Sequence, residues 1–250
     1  MSTGHPNYPY PTITEAVCDI HFRLSPANKW KPSLPGELFK HIQNDYPEME
    51  PVLEVGLQLE VGPGGTSTRI LPPPQMMRFK HGTRPLILQL AENAFSISVL
   101  SPYPGWEVMR QDALTAWRQV EEVLMPEAIN RIGLRYINRI EKETISDRPG
   151  DWLETTDYIP HGILHSEPGF LLRVQTHLDS QNMLIITLGD TESESGSKDD
   201  SIIFDIDRIV EKELVSGQDL EQEMDRLHAD VWDVFSSAKG EKMDRLLNRR

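Results

Sequence analysis

From residue 15 to residue 24 the chain alternates. Ala16, Cys18, Ile20, Phe22 and Leu24 fall on one side, and Glu15, Val17, Asp19, His21 and Arg23 on the other. A period of two is that of a strand with one buried face. The same period returns in 130–140, where Ile132, Leu134, Tyr136 and Ile140 oppose Arg131, Arg135 and Arg139. Leu86–Leu90 and 95–100 read as a hairpin, and 53–61 as a strand closed by Gly62-Pro63-Gly64-Gly65. Further strands are expected at 170–178, 183–188 and 201–206. In the first of these, Phe170, Leu172, Val174, Thr176 and Leu178 face away from Arg173 and His177.

Between the strands the spacing changes to three and four. Trp106, Met109, Ala113, Trp117, Val120 and Leu124 mark one long helix, stopped by Pro126. Leu220, Met224, Leu227, Val231, Val234 and Phe235 mark a second, with Ser216 and Asp219 placed to cap it. A short helix over 37–45 ends before Pro47, and Pro72-Pro73-Pro74 interrupts any regular structure there. Prolines hold Asn7-Tyr8-Pro9-Tyr10-Pro11 extended. Residues 190–200, acidic and serine-rich, are expected to form a mobile loop.

The order strand, connection, several strands, long helix occurs twice. The fold expected is therefore α+β: one antiparallel sheet with two long helices packed on one face, burying Trp117 and Trp232. It is read as a single domain over 1–250 with an internal duplication, its pseudo-repeats at about 12–126 and 127–238. The arginine strand should be central, paired on both sides, and should link the halves.

Composition narrows the function classes. The 250 residues carry 39 acidic and 25 basic side chains, a formal net charge of −14, which disfavours nucleic acid as a partner and favours a basic protein. With Cys18 the only cysteine, no intramolecular disulfide forms, and a reducing, cytoplasmic location is expected. No apolar run is long enough for a membrane helix, and 1–11 lacks the basic and apolar regions of a signal peptide.

Three segments carry a resemblance. Pro11-x-Ile13-x-Glu15-Ala16, Pro102-Tyr103-x-x-Trp106-Glu107 and Arg131-Ile132-Gly133-Leu134-Arg135-Tyr136-Ile137-Asn138-Arg139-Ile140 are similar to a sporadically distributed family of bacterial and archaeal proteins of about this length. The likeness runs from Tyr8 to Phe235. That family brings no established activity, cofactor or ligand. Its patchy distribution implies a mobile or defence-associated setting.

Candidate chemistry gathers on the polar side of the sheet. Arg23, Arg131, Arg135, Arg139 and Arg173, with His21 and His177, form a face for an anion or a partner; Asp205 and Asp207 join it from a neighbouring strand. Either the arginines meet Glu15, Asp19, Asp205 or Asp207 across strands, or they await a phosphate or carboxylate. Asp205-x-Asp207 aims two carboxylates the same way, as a magnesium or calcium site does, but the pattern is common by chance and no metal is assigned. His161 and His165 have the spacing of zinc ligands on a helix, but Pro160 and Gly162 place them in a loop. Cys18 and His21 fall on opposite strand faces, so they form no nucleophile–base pair. Nucleotide-binding, zinc-protease and serine-hydrolase motifs are absent from the sequence. No catalytic residue and no cofactor are assigned. The reading is a non-enzymatic binding or accessory protein, antitoxin-, chaperone- or scaffold-like, engaging a protein partner, with a homo-oligomer also compatible. The alternative is an enzyme or ligand-binding module for a phosphorylated or nucleotide-like anion on the arginine face.

Overall fold

A computed structural model describes residues 7–52, 56–62, 65–71, 76–144, 146–167, 169–191, 201–214 and 217–249. Its strands are β1 (Ile13–Leu24), β2 (Glu48–Pro51), β3 (Gly56–Gly62), β4 (Gly65–Leu71), β5 (Met77–Lys80), β6 (Leu86–Leu90), β7 (Ala94–Leu100), β8 (Pro126–Glu141), β9 (Leu171–His177), β10 (Asn182–Thr191) and β11 (Ser201–Val210). Its helices are α1 (Leu34–Ile42), α2 (Trp106–Leu124), α3 (Pro149–Trp152), α4 (His161–Leu164), α5 (Gly217–Ala238) and α6 (Glu241–Leu247). Pro63, Gly64, the Pro72-Pro73-Pro74 run, residues 192–200 of the acidic segment and Ser216 lie outside the described residues.

The chain is α+β, built on a nine-stranded antiparallel sheet in the order β2-β5-β6-β7-β1-β8-β11-β10-β9. β3 and β4 form a separate hairpin, Gly62 opposite Gly65. β8 is central, hydrogen-bonded to β1 on one side and β11 on the other. Read outward from the β1–β8 pair, the halves share one order: β1, β7, β6, β5 on one side and β8, β11, β10, β9 on the other.

The period-two pattern explains which face is packed. Ala16, Cys18, Ile20 and Phe22 of β1 align with Ile132, Leu134 and Tyr136 of β8, and with Phe204, Ile206 and Val210 of β11. All are buried. The long helices cover this apolar face. Trp117 of α2 is 1% exposed, against Phe22 (ring centroids 5.7 Å) and Phe95 (6.2 Å), while Phe235 of α5 stacks on Phe204 at 6.4 Å. α2 ends where Met125 takes a left-handed conformation (φ 46°) before Pro126, which cannot continue a helix. Trp232 departs from expectation: it is half-buried, with Tyr8 of the N-terminal segment stacked on it at 5.8 Å and Phe235 tilted beside it at 6.2 Å. β2, β5 and α6 were not anticipated from the sequence.

Charge is also enclosed on the helix-covered side, where Lys142 pairs with Asp190 at 2.8 Å, both side chains buried, and where Arg208 meets Asp230. Arg208 of β11 is 2% exposed; its Nε and Nη2 donate to Asp230 Oδ2 of α5 (3.0 and 2.5 Å), and Nη1 donates to the Met183 carbonyl at 2.8 Å. A buried guanidinium without its counterion keeps the desolvation cost and loses the attraction. Asp230→Ala should therefore lower unfolding stability by about 3 kcal/mol in a denaturant titration. Adding Arg208→Met, which removes the stranded charge, should recover part of that loss.

Candidate functional site

The face of the sheet opposite the long helices carries the nine residues expected there. Their places follow from register. Val17, Arg135 and Asp207 share one row, and His21 lies directly across from Arg131. The structure gathers five of them into two clusters and leaves four apart.

In the first cluster, Arg135 Nε and Nη2 donate to Asp205 Oδ1 and Oδ2 at 2.9 and 2.6 Å, a two-pronged bond. Asp205 is buried, and the Arg135 side chain is 45% exposed and roofs it. Asp207, two residues on, has no two-pronged partner among the described residues and is pushed up to about 6 from its ordinary 3.8, chiefly by burial, with Arg135 opposing and the Asp205 charge adding to it. Two carboxylates share one guanidinium, and the guanidinium is committed to one of them.

In the second cluster, His21 Nε2 lies 2.9 Å from Asp19 Oδ2 and also 2.9 Å from Arg131 Nη1, while Arg131 Nη1 stands 3.7 Å from Asp19. One imidazole nitrogen cannot donate to Asp19 and accept from Arg131 together. With Nε2 protonated, the ring bonds Asp19 and Arg131 turns to the carboxylate; with Nε2 bare, it accepts from Arg131. The cluster thus has two hydrogen-bonding arrangements.

The remaining residues stand apart. Arg23 donates to Glu127 and Glu213, both at 3.2 Å and exposed. Arg173 donates to Thr187 Oγ1 at 3.2 Å, and His177 lies exposed near the end of β9. Arg139 is exposed on β8. Most of the cationic charge is met by carboxylates of the fold itself. His161 and His165 correct a second expectation: they lie on and just after the short helix α4, with Nε2 atoms 3.0 Å apart. Among the described residues no three His, Cys, Asp or Glu side chains are grouped to hold a metal ion. Cys18 is wholly buried, and burial pushes its thiol up, so it remains a neutral core group.

Sequence reasoning missed a cleft of about 360 Å³ on the other face of the sheet. Its floor is Tyr136 and Asn138 of β8, Ile206 of β11, and Thr12 and Ile13 at the start of β1. One wall is Tyr103 to Trp106 at the head of α2; the other is His228, Val231, Trp232 and Phe235 of α5. Asn7, Tyr8 and Pro11 close it. Gly105 is required at the rim: its φ is +98°, and a Cβ there would meet the Asn7 side chain at 2.7 Å. Trp106 stacks flat on His228, centroids 4.2 Å apart. Tyr103 and Tyr136 hydroxyls are 2.9 Å apart, and burial raises both phenols, so both stay protonated. A signal in sequence was Asn138, a polar residue between Tyr136 and Ile140 on the packed side of β8. Pro11, Ile13, Tyr103, Trp106, Glu107, Tyr136 and Asn138, from three separate segments singled out in the sequence, all meet here.

Two measurements check the charge clusters. Arg135→Ala should leave Asp205 with an unpaired buried carboxylate and cost about 1–3 kcal/mol of stability, less than a fully buried pair because Arg135 is half exposed. Asp207, raised in the folded state, binds its proton more tightly folded than unfolded. Its contribution to stability is full below pH 4 and is lost as pH rises to about 6. In Asp207→Asn, melting temperature should fall less between pH 4 and 6 than in the parent chain.

No family model matches the chain, and no curated protein matches it. One solved structure, described as "KH domains", is similar at a TM-score of 0.21 with 9% identity; the alignment covers 94% of this chain and 64% of that one. A likeness at that score assigns no fold.

Proposed function

We propose that this chain is a non-enzymatic binding protein that engages a protein partner as an accessory, chaperone- or antitoxin-like subunit, in the cytoplasm and in the defence-associated setting that the resemblance implies. The observation that carries the reading is the outer edge of β9. This seven-residue strand ends the nine-stranded sheet, and among the described residues nothing pairs with its free side. Leu171 on it is 73% exposed. Leu178 N donates to the Asn182 carbonyl, so by alternation Thr176, Val174 and Leu172 bond inward to β10. The backbone N–H and C=O groups of Leu171, Arg173, Gln175 and His177 then point outward. An open edge of this length contains no proline and only one arginine, and it is suited to accept an extended segment of another protein as a tenth strand. The net charge of −14 steers basic partners toward the chain.

The repeated strand order about the β1–β8 pair supports reading the two halves as an internal duplication, with β9 and β5 in matching places. β5 is covered by β2, whereas β9 is left open among the described residues. The alternative, an anion on the arginine face, is weakened by the two-pronged bond that commits Arg135 to Asp205.

Gln175→Pro removes an outward N–H without breaking a bond to β10. A tagged chain purified from its own cells should carry a stoichiometric partner, measured by native mass spectrometry. Gln175→Pro should lose the partner while melting within about 2 °C of the parent, less than the shift expected for 1 kcal/mol in a domain of this size. A partner retained by the variant, or a parent chain that is monomeric and bare, would overturn the reading. A parent of twice the chain mass would mean that two β9 edges pair with each other instead.

A further inference from the structure

The cleft between α2 and α5 has the dimensions of a ligand site and a lining whose chemistry selects a class of ligand. Concave, mostly apolar sites of a few hundred Å³ with a few convergent polar groups are where small molecules bind. Here the flat surfaces come from Tyr8, Tyr103, Trp106 and Trp232, which all line the space. Trp106 and Trp232 are each backed by a second ring, His228 and Tyr8, which fixes their orientation without induced ordering.

Charge decides against ions. Among the described lining residues the one carboxylate is Glu107, at the rim and bonded to Arg110 at 2.7 Å, and no lysine or arginine lines the cleft. An anion would shed its water with no lysine or arginine in the lining to offset the loss.

Hydrogen bonding decides the edge. Tyr136 is buried, and its hydroxyl has a weak acceptor, Met109 Sδ, at 3.9 Å. The two hydroxyl protons of Tyr103 and Tyr136 serve one mutual bond and that weak contact. Rotating both O–H bonds therefore lets Tyr103 present either a donor or an acceptor to the cleft. Asn138, 2% exposed, accepts from Thr12 Oγ1 at 2.9 Å and donates to the Phe204 carbonyl at 3.1 Å. Those bonds orient the amide and leave it one N–H and one lone pair.

We propose that this cleft binds a small, uncharged, planar heterocycle whose edge carries an adjacent hydrogen-bond donor and acceptor. The ring stacks among the cleft's aromatic side chains, and its edge meets Tyr103 and Asn138. The inference stands apart from the β9 edge and does not depend on a protein partner.

Trp106 and Trp232 report occupancy through their fluorescence. Uracil or adenine should quench it saturably. Toluene, a ring without a polar edge, should bind at least about fivefold more weakly, the worth of one net hydrogen bond. Tyr103→Phe, with an unchanged melting curve, should weaken the base by a similar factor, and Trp232→Phe should retain binding with a smaller signal. No saturable quenching by either base, toluene binding as tightly, or a Tyr103→Phe variant that binds unchanged would each overturn the proposal. Uridine monophosphate binding as tightly as uracil would overturn the uncharged ligand. A short oligouridylate binding tighter than the free base would overturn a small molecule in favour of a base within a strand.

Discussion

β8 is hydrogen-bonded along both edges, to β1 and to β11, and this double pairing fixes which way each of its residues points. Arg131, Arg135 and Arg139 face one side, Tyr136 and Asn138 the other. A slip of one residue would exchange the sets. It would drive three guanidiniums under α2 and α5, a burial costing far more than the sheet gains. Register is therefore held from both neighbours, and with it the positions of the arginine face and the floor of the cleft. The two candidate sites share no side chain, yet one strand positions both.

Two ion pairs, one on each face of the sheet, divide their burial in opposite ways. On the open face, Asp205 is shielded by a half-exposed Arg135, so the acid is the buried partner and the base is wetted. On the helix side the roles reverse. Arg208 is the enclosed group, and Asp230 reaches it from α5 while remaining a third exposed. Each pair keeps one member in water, which lowers the desolvation cost that makes fully enclosed ion pairs poor stabilisers. Each also ties two elements together, β8 to β11 in one case and β11 to α5 in the other.

Much of this was legible in the sequence where a period had room to repeat. The limits of α2 coincide with the expectation because Gly105 and Pro126 punctuate both ends. β8 was readable as a strand because its second half, from Leu134 to Glu141, alternates without a break. β2 and β5 have four residues each, too few to display a period. α6 follows α5 after two residues and was hidden by its charged composition. His161 and His165 looked like a loop because proline and glycine flank them; proline at the position before a helix and glycine within one short turn are both tolerated. The arginine pairings were foreseeable in kind, since Asp205 and Asp207 alternate onto the arginine side. Which carboxylate is used depends on strand twist and was not. The cleft escaped because its lining comes from six stretches of chain that only the topology brings together.

The N-terminal segment is structural as well as connecting. Tyr8 lies on Trp232, its hydroxyl accepts from Lys239 Nζ at 3.2 Å, and Tyr10 N bonds the Leu247 carbonyl of α6. The beginning and end of the described chain are thus latched beside the cleft. Proteolytic removal of the segment through Tyr10 would strip the ring that covers Trp232 and the backbone bond to α6 in a single cut, so that one indole would register the loss of both.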